Sequence, residues 1–523
     1  MDASSPYRLF FARRRTHLSG GRDFAFAKNF LPGLLLVGLC LYNHGVTAAS
    51  LFGVVSERSA SLLAAGADGF LEQYPEHDLT LRNTEQIAAM PDAGIREQFA
   101  AADAVLMVGV FGEQAQRLAG LLREVEELPS RVLAFNGERR LTELSRLQGE
   151  AIMDRLDKRD MDALHAKASA QQSVAEHLHQ QQQRFARQAG WLQARAYWQG
   201  RGSDNVTGLL AWLLAPYSNN MQVPEPVLAE SIRYYHDGRI SATPTPGFSH
   251  DQRVIAVLDH DTGDVAGQNA LMEGLCAELK RHDIQCLGVI ARWGEASARS
   301  LESLRDRIAP GELAGVISLQ DFVIGGSDAR ARADKALKDL DVPVFKGLRL
   351  TERNAETWRL SDEGLPADSV HYRLAMPELQ GIGQAQVVAV KQPDQTQPAT
   401  GLRYAAMTTL AAELRSVANR VANWQSLQSQ ANHDKRIGII YYNHPPGRHN
   451  IGADNLNVPE SLLTILRELK SAGYQTGELP ADAEVLLEML QAKGVNMPEN
   501  RSVLANMSQV TPHLSLEQYQ HWF

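Results

Sequence analysis

The chain has 523 residues. A single hydrophobic core stops growing at roughly 250–300 residues, so this length predicts about three or four domains. The composition, 44% hydrophobic and 22% charged, is that of a folded soluble protein. A formal net charge of -9 provides no broad positive field for a phosphate backbone, which argues against nucleic acid as a partner.

The first 49 residues have the order of a secretory signal. Arginines at 13–15 precede an apolar run over residues 30–41, and a small-residue stretch follows at 46–49. The run of about twelve residues is shorter than the ~20 that a membrane-spanning helix needs. We expect residues 1–49 to be a signal peptide or an anchor, with the protein in the periplasm or held at the inner membrane facing outward. The alternatives are a buried core helix and a cytoplasmic protein.

Residues 50–138 alternate apolar strands with amphipathic helices. Strands are predicted at 50–55, 104–110 and 131–135, and helices at 60–70 and 113–127. Continuous apolar strands separated by helices are typical of a parallel sheet that is covered on both faces. The pattern predicts a doubly wound α/β domain.

Two further segments precede a second α/β domain. Residues 139–222 carry apolar side chains at helical spacing and predict a helical segment, and the prolines of 223–250 predict a linker. Residues 251–405 then resume the alternation, with strands at 253–258, 285–290, 313–319 and 342–345 and a helix at 269–282. The predicted fold class is therefore α/β and multidomain, with doubly wound parallel-sheet units and an intervening helical segment.

The chain has three cysteines, Cys40, Cys276 and Cys286, and no CxxC pair. This spacing is not that of a structural zinc site or of a disulfide framework. We expect Cys276 and Cys286 to be buried thiols. The alternative is a disulfide between them.

The last segment, 406–523, opens a third α/β region. A helix at 408–430 leads to an apolar strand at 436–442, and another helix follows at 459–472. Between the strand and the second helix lies the richest polar cluster of the chain. Ligands of open α/β sheets bind in the crevice beyond the carboxyl ends of the strands, so this loop is the candidate site.

The loop carries imidazole, guanidinium, carboxylate and amide groups. Imidazole binds transition metals, imidazole and carboxylate accept protons, and a guanidinium pairs with a ligand carboxylate. The predicted catalytic residues are His444, His449 and Glu460, the two histidines also as metal ligands, and the predicted substrate-binding residues are Tyr442, Asn443, Arg448, Asn450 and Asp454. The alternative is a polar turn that ends in a helix cap at Asn457, just before Val458 and Pro459.

Nucleotide-binding motifs are missing from the sequence. Neither a Walker A pattern nor a GxGxxG fingerprint occurs, so the chain has no recognisable phosphate cradle of its own. The chain is therefore not itself an obvious ATPase.

At the polar loop the sequence resembles the large subunits of the CobN and magnesium chelatase family. The similar features are the strand at 437–442, then Asn443, Pro445, Pro446 and the run 450–452, and a helix that ends at Gly473 and Tyr474. Four earlier stretches are similar as well. They are Tyr197 and Trp198 with Gly202 and Asn205, residues 254–267, residues 315–319, and residues 342–345 with the later run 376–381. The resemblance extends from about residue 151 to the end.

The resemblance implies a large, tetrapyrrole-binding subunit of a cobaltochelatase-type metal chelatase. Such an enzyme is a ligase that forms nitrogen–metal bonds by inserting cobalt, magnesium or iron into a corrin or porphyrin ring, as in cobalamin biosynthesis. The resemblance also implies AAA+ motor subunits that hydrolyse ATP if the protein is cytoplasmic. Because family members are longer, we expect this chain to hold only the beginning of the chelatase core.

The predicted export signal leads to two alternatives. A motor outside the cytoplasm has no ATP to use, so an exported relative needs a different role from the usual cytoplasmic enzymes. One alternative is an exported haem dechelatase that removes metal from the tetrapyrrole and works with membrane uptake components. The other is a carrier that binds tetrapyrrole without catalysis.

Overall fold

The computed structural model describes residues 48–166, 168, 172–218, 220–243, 253–261, 265–309, 311–442, 451, 455–492 and 513–522. Nearly all of the predicted signal or anchor, residues 1–47, lies outside this part of the chain. Within the described ranges, no helix has the length and apolar character that crossing a bilayer requires.

The first α/β unit is built on a mainly parallel sheet. Its elements are β1 (Ser50–Val55), α1 (Glu57–Gln73), β2 (Asp78–Asn83), α2 (Thr84–Ala89), α3 (Asp92–Ala101), β3 (Ala104–Val108), α4 (Gly112–Glu124), β4 (Arg131–Phe135), α5 (Arg139–Thr142), β5 (Arg146–Leu147) and β6 (Glu150–Ala151). The strands lie in the order β2-β1-β3-β4-β5-β6, and the first four are parallel. Strands β1, β3 and β4 are buried over almost their whole length, as in a sheet covered on both faces.

A helical layer follows and covers one face of the first sheet. Its helices are α6 (Lys158–Leu164), α7 (Val174–Arg184), α8 (Ala189–Gly200) and α9 (Ser203–Leu214). Helix α9 packs directly on α1, since a Cβ atom on Gly66 would lie 2.3 Å from Cγ1 of Val206. Thr207 also donates a hydrogen bond to the carbonyl of Gly66 at 2.9 Å. Trp191 and Trp198 of α8 are buried in the same core as β1 and β3.

A β-hairpin occupies part of the predicted linker, so the linker prediction is wrong there. It consists of β7 (Ile232–His236) and β8 (Arg239–Ser241). Asp237 and Gly238 turn the chain with φ values of 46° and 78°, as a two-residue hairpin turn requires. Tyr234 and Tyr235 are buried, and β7 pairs antiparallel with a strand of the second sheet. The Asp-Gly pair was the signal for this turn.

The second α/β unit contains a larger sheet. Its elements after the hairpin are β9 (Val254–His260), α10 (Val265–Lys280), β10 (Gln285–Ala291), α11 (Glu295–Arg305), β11 (Leu313–Ser318), α12 (Arg330–Leu340), β12 (Val344–Leu350), α13 (Ala355–Leu360), α14 (Ala367–Val370), α15 (Met376–Glu378), β13 (Gly383–Lys391), β14 (Gln395–Thr396), β15 (Arg403–Tyr404), β16 (Met407–Thr409) and α16 (Ala411–Ser429). The strand order is β16-β13-β12-β11-β9-β10-β7-β8, with β13 to β10 parallel. The predicted doubly wound fold class is confirmed.

Cys276 of α10 and Cys286 of β10 form a disulfide, with their Cα atoms 5.3 Å apart. The prediction of two buried thiols is therefore wrong. The chain turns tightly between the helix and the strand at Asp283, whose φ is 57°. This short connection brings the last turns of the helix beside the start of the strand, which the spacing of the cysteines alone did not indicate.

Residues 435–442 do not form the predicted strand. Ile437, Ile439 and Ile440 are exposed, the last at 98%. None of the three sheets of the described chain pairs with this segment, so its backbone groups have no ladder to join. The helices of this region are α17 (Val458–Ser471), α18 (Ala483–Ala492) and α19 (Leu516–Trp522). Helix α17 confirms the helix predicted at 459–472.

A strap, residues 395–404, leaves the second sheet between β13 and β16 and packs on the first unit. Arg82 donates to the carbonyl of Thr400 at 2.9 Å. Gln397 donates to the carbonyl of Ala64 in α1, also at 2.9 Å. Leu402 is fully buried in the core of the first unit. The first core therefore includes a residue that lies far away in the sequence.

Candidate functional site

The second sheet reverses its strand order between β9 and β11. Along the chain the five parallel strands take the order 2-1-3-4-5, and ligands of such sheets bind at the carboxyl ends beside this switch point. Ionisable side chains gather there, and we refer to them as the charge cluster. They are Asp259 and His260 at the end of β9, Asp321 after β11, Lys346 and Arg349 on β12, and Arg373.

An ion pair between Asp259 and Arg349 lies at the centre of the charge cluster. Asp259 is 0% exposed and accepts hydrogen bonds from Arg349 and from Gln268, the latter at 2.7 Å. Arg349 also donates to the carbonyl of Leu319 at 2.7 Å. Strands β9 and β12, which lie on either side of β11, thus hold two opposite charges in the interior, where each depends on the other to offset its lost hydration.

His260 lies between two carboxylates. Its Nε2 is 3.7 Å from Oδ2 of Asp321, and its Nδ1 is 3.7 Å from Oδ1 of Asp259. Burial lowers the pKa of His260, although both carboxylates oppose this effect. Burial alone would raise the pKa of Asp321, but His260 and the nearby cations outweigh it and lower that pKa. The imidazole and the carboxylate are close enough that the charge of each shifts the pKa of the other.

Lys346 is the most readily neutralised cation of the charge cluster. Its ammonium group donates a hydrogen bond to the carbonyl of Gln320 and is almost completely buried. Burial lowers the pKa of Lys346 to about 8, although the charge of Asp321 acts to raise it. An amine with this pKa can gain or lose a proton close to physiological pH.

Arg373 reaches the charge cluster from a π-helical turn, His371–Ala375. Such turns are rare and are frequent at functional sites. The guanidinium is fully buried and donates to the carbonyl of Arg349 at 3.3 Å and to the hydroxyl of Thr351 at 3.0 Å. It also pairs with Glu352 at 3.0 Å. The turn thereby places a third cation beside the end of β12.

Several buried polar atoms of this site have no hydrogen-bond partner among the described residues. They are Nδ1 of His260, Oγ of Ser318, both amide atoms of Gln320 and Nε of Arg373. Most buried polar atoms in proteins are paired, so such a concentration is typical of a site that receives water or a ligand. The arrangement can accept and release protons and can hold a polar ligand.

Most of the residues predicted for the candidate loop lie outside the described part of the chain. They are Asn443, His444, Arg448, His449, Asn450 and Asp454. Tyr442 is 63% exposed, and Glu460 is an exposed residue in the first turn of α17. Asn457 caps this helix by accepting a hydrogen bond from the backbone of Glu460, which confirms the predicted cap. The catalytic, binding and metal roles of the loop residues stay predictions.

In the described ranges, no group of three or more histidine, cysteine, aspartate or glutamate side chains is arranged to hold a metal ion. Of the two aspartates of the charge cluster, Asp259 pairs with Arg349 and Asp321 lies beside His260.

The prediction missed the charge cluster because it rested on the polar residues of one loop. Its signal is present in three places. Asp259 and His260 end an apolar strand, Asp321 follows another, and Lys346 and Arg349 interrupt a third. Charged residues inside or directly after buried parallel strands are rarely tolerated without partners. In a sequence they therefore indicate a buried ionic site at the end of the sheet.

Comparisons with known proteins agree with the resemblance seen in the sequence. The H subunit of the magnesium chelatase of Rhodobacter capsulatus is 25% identical over 318 residues, which cover 57% of this chain and 26% of that protein. The aerobic cobaltochelatase subunit CobN of Sinorhizobium sp. is 23% identical over 349 residues, covering 63% of this chain and 26% of that one. This chain therefore spans about a quarter of the length of these curated relatives.

Among solved structures, the catalytic subunit of cobaltochelatase from Mycobacterium tuberculosis aligns with 85% of this chain and 33% of its own chain. The TM-score is 0.49 and the sequence identity is 19%. The family model described as CobN/Magnesium Chelatase matches residues 195–523, well over half of the chain. The chain belongs to the CobN/magnesium chelatase family.

Proposed function

We propose that this chain is the tetrapyrrole-binding, amino-terminal part of the large subunit of a cobaltochelatase-type metal chelatase. The observation that carries the proposal is the match of the family model over residues 195–523. The aerobic CobN relative matches 63% of the chain and the magnesium chelatase relative 57%, and cobalt is the metal that we propose to test first. Magnesium and iron are the alternatives.

Metal insertion requires groups that accept protons. Two pyrrole N–H groups lose their protons when a divalent metal enters the ring, and a positioned base accelerates this step. We assign metal binding to His444 and His449, and proton transfer to these two histidines and Glu460. Tyr442, Asn443, Arg448, Asn450 and Asp454 contact the substrate in this proposal. ATP hydrolysis belongs to AAA+ partner subunits, since the sequence has no phosphate-binding motif.

The first test is a titration of the purified chain with a porphyrin and a corrinoid, followed by visible absorbance. We expect weak binding and no steady metal insertion by the chain alone. His444→Ala and His449→Ala should each weaken binding of the metallated ring roughly 10- to 100-fold, through the loss of a contact worth about 1.5–3 kcal/mol. Binding of the metal-free ring should change less.

Two control variants separate binding from folding. Arg448→Ala should weaken the metallated and metal-free rings alike, because a ring carboxylate is present in both. Asn457→Ala removes only a helix cap, so it should cost about 1 kcal/mol of stability and leave binding unchanged. The absence of any spectral change with either tetrapyrrole would contradict the proposed function.

The second candidate function is an exported haem dechelatase. Two observations favour it: the basic, apolar and small-residue order of residues 1–49, and the disulfide between Cys276 and Cys286. Disulfides persist in oxidising compartments such as the periplasm and are rare in the cytosol. In this reading, membrane uptake components replace the ATP-hydrolysing partners, and protons are returned to the pyrrole nitrogens as the metal leaves.

Fractionation of cells should recover the protein with Cys276 and Cys286 oxidised and with an amino terminus close to Ala48 or Ala49. Acid quenching, thiol alkylation and mass spectrometry report the disulfide, and amino-terminal sequencing reports the cleavage site. An intact amino terminus at Met1, together with two alkylated thiols at these positions, would remove the exported candidate. This result would favour the hypothesis of a cytoplasmic chelatase instead.

A further inference from the structure

Three aromatic side chains form a row at the carboxyl edge of the second sheet. We refer to Trp293, Phe322 and Tyr372 as the aromatic row. The ring centroids of Trp293 and Phe322 are 5.6 Å apart at an interplanar angle of 55°. Those of Phe322 and Tyr372 are 5.3 Å apart and the rings are stacked at 27°. The three rings are therefore in continuous contact.

The aromatic row crosses the switch point of the sheet. Trp293 follows β10, Phe322 follows β11, and Tyr372 lies in the π-helical turn after β12. Because β9 lies between β10 and β11, the contact between Trp293 and Phe322 spans the end of β9, where His260 is located. Two members of the row are direct sequence neighbours of the charge cluster, next to Asp321 and Arg373.

Trp293 is held in place although it is 42% exposed. Its indole N–H donates to the carbonyl of Val323 at 3.1 Å. Gly326 lies against the same ring, and a Cβ atom there would be 3.3 Å from Cζ2 of the indole at a φ of 59°. A large aromatic ring that is fixed and yet accessible to solvent is characteristic of a binding surface.

We propose that the aromatic row and the charge cluster together bind a flat conjugated ring that carries carboxylates. The inference rests on the proposed function, since a tetrapyrrole is such a ligand, and it adds a ring-binding surface at the switch point of the second sheet to the contacts assigned to the candidate loop. Conjugated rings stack on aromatic side chains, and Trp293 offers an accessible one. Carboxylates are bound by guanidinium and amide donors, and Nε of Arg373 and Nε2 of Gln320 have no partner among the described residues.

The test is a titration of the full chain with deuteroporphyrin IX, which carries two carboxylates, followed by quenching of tryptophan fluorescence and by visible absorbance. Trp293→Ala and Phe322→Ala should each weaken binding about 10-fold, the magnitude expected for the loss of one stacking ring. Trp293→Phe keeps an aromatic face and should stay within about threefold of the parent.

A matched control is Trp424→Ala. Trp424 is 37% exposed, similar to Trp293, but it lies on α16 outside the aromatic row. Its removal should leave the affinity unchanged. Arg373→Gln should weaken deuteroporphyrin more than its dimethyl ester, in which the carboxylates are neutral. If Arg373→Gln does not fold, the comparison of the acid and the ester on the parent still measures the carboxylate contribution.

The outcomes separate this inference from the proposed function. If the parent and all aromatic variants bind deuteroporphyrin with equal affinity, the location at the switch point is overturned and the proposed function still stands. The same holds if the parent binds the acid and the ester with equal affinity. The absence of binding of any tetrapyrrole by the parent would overturn both. A 10-fold loss in Trp293→Ala and Phe322→Ala, with Trp424→Ala unchanged, is the supporting result.

Discussion

Replacement of Arg349 by methionine is expected to lower the free energy of unfolding of the second α/β unit by about 3–5 kcal/mol. The variant removes the guanidinium that pairs with Asp259 and leaves a carboxylate buried at 0% exposure, with the side chain of Gln268 and the backbone N–H of His260 as its remaining donors. Hydrogen exchange of peptides from β9 and β12 measures the effect locally. Protection should fall by about two to four decades in rate.

Two comparisons test the physical reason for this loss. The double variant Asp259→Leu with Arg349→Met removes both charges and should recover most of the protection, because apolar replacement of a complete buried pair is often neutral. Arg332→Met breaks ion pairs with Glu302 and Glu295 on the surface and should cost less than about 1 kcal/mol. Equal losses in Arg332→Met and Arg349→Met would show that burial of the pair is not the cause.

The stability of the second unit is expected to rise with pH between about 8 and 10 because of Lys346. Burial lowers the pKa of this amine to about 8 from an ordinary value of 10.5. In this window the unfolded chain holds a proton that the folded chain has released, so stability increases as pH rises. Below pH 8 the amine is protonated in both the folded and the unfolded chain, and burial of the charged amine destabilises the folded chain by the full amount of about 3 kcal/mol.

Urea-dependent oxidation of Met272 by peroxide measures this gain, because Met272 is buried in the core of the same unit. In the parent, the urea concentration needed for half-maximal oxidation should be higher at pH 10 than at pH 8. In the variant Lys346→Met, which has no group to titrate at this position, the difference between the two pH values should be smaller. Lys335→Met is the matched control, since Lys335 is 75% exposed and should leave the pH dependence of the parent intact. A parent and a Lys346→Met variant with parallel pH profiles would contradict a lowered pKa.

Strands and long helices could be predicted where their apolar residues pack mainly into the core of their own domain. The bounds predicted for β1 and β4 coincide with the structure because each is an uninterrupted apolar run of strand length. Helix α17 was predicted from its cap at Asn457, a signal within one turn of the chain. In both cases the sequence carries the information locally.

The features that were missed depend on residues far away in the sequence. The run at 436–442 has the composition of a strand but lacks a neighbouring strand among the described residues, and pairing decides whether a strand forms. The charge cluster joins residues from two strands, from the loop after a third strand and from a π-helical turn, spread over more than a hundred positions. Only the order of the strands in the sheet brings Asp321 next to His260.

The strap has a consequence for the way in which the protein is made. Arg82 and Thr400, which the strap joins, are 318 residues apart in the chain. The last strand of the first unit ends at Ala151, 251 residues before Leu402, and ribosomes add about 5–20 residues per second. The first unit therefore leaves the ribosome roughly 13–50 seconds before Leu402 can enter its core. During this interval the hydrophobic site that Leu402 fills in this core is open to solvent. The nascent first unit therefore exposes a surface that chaperones can bind, and it closes only after the second sheet has been synthesised.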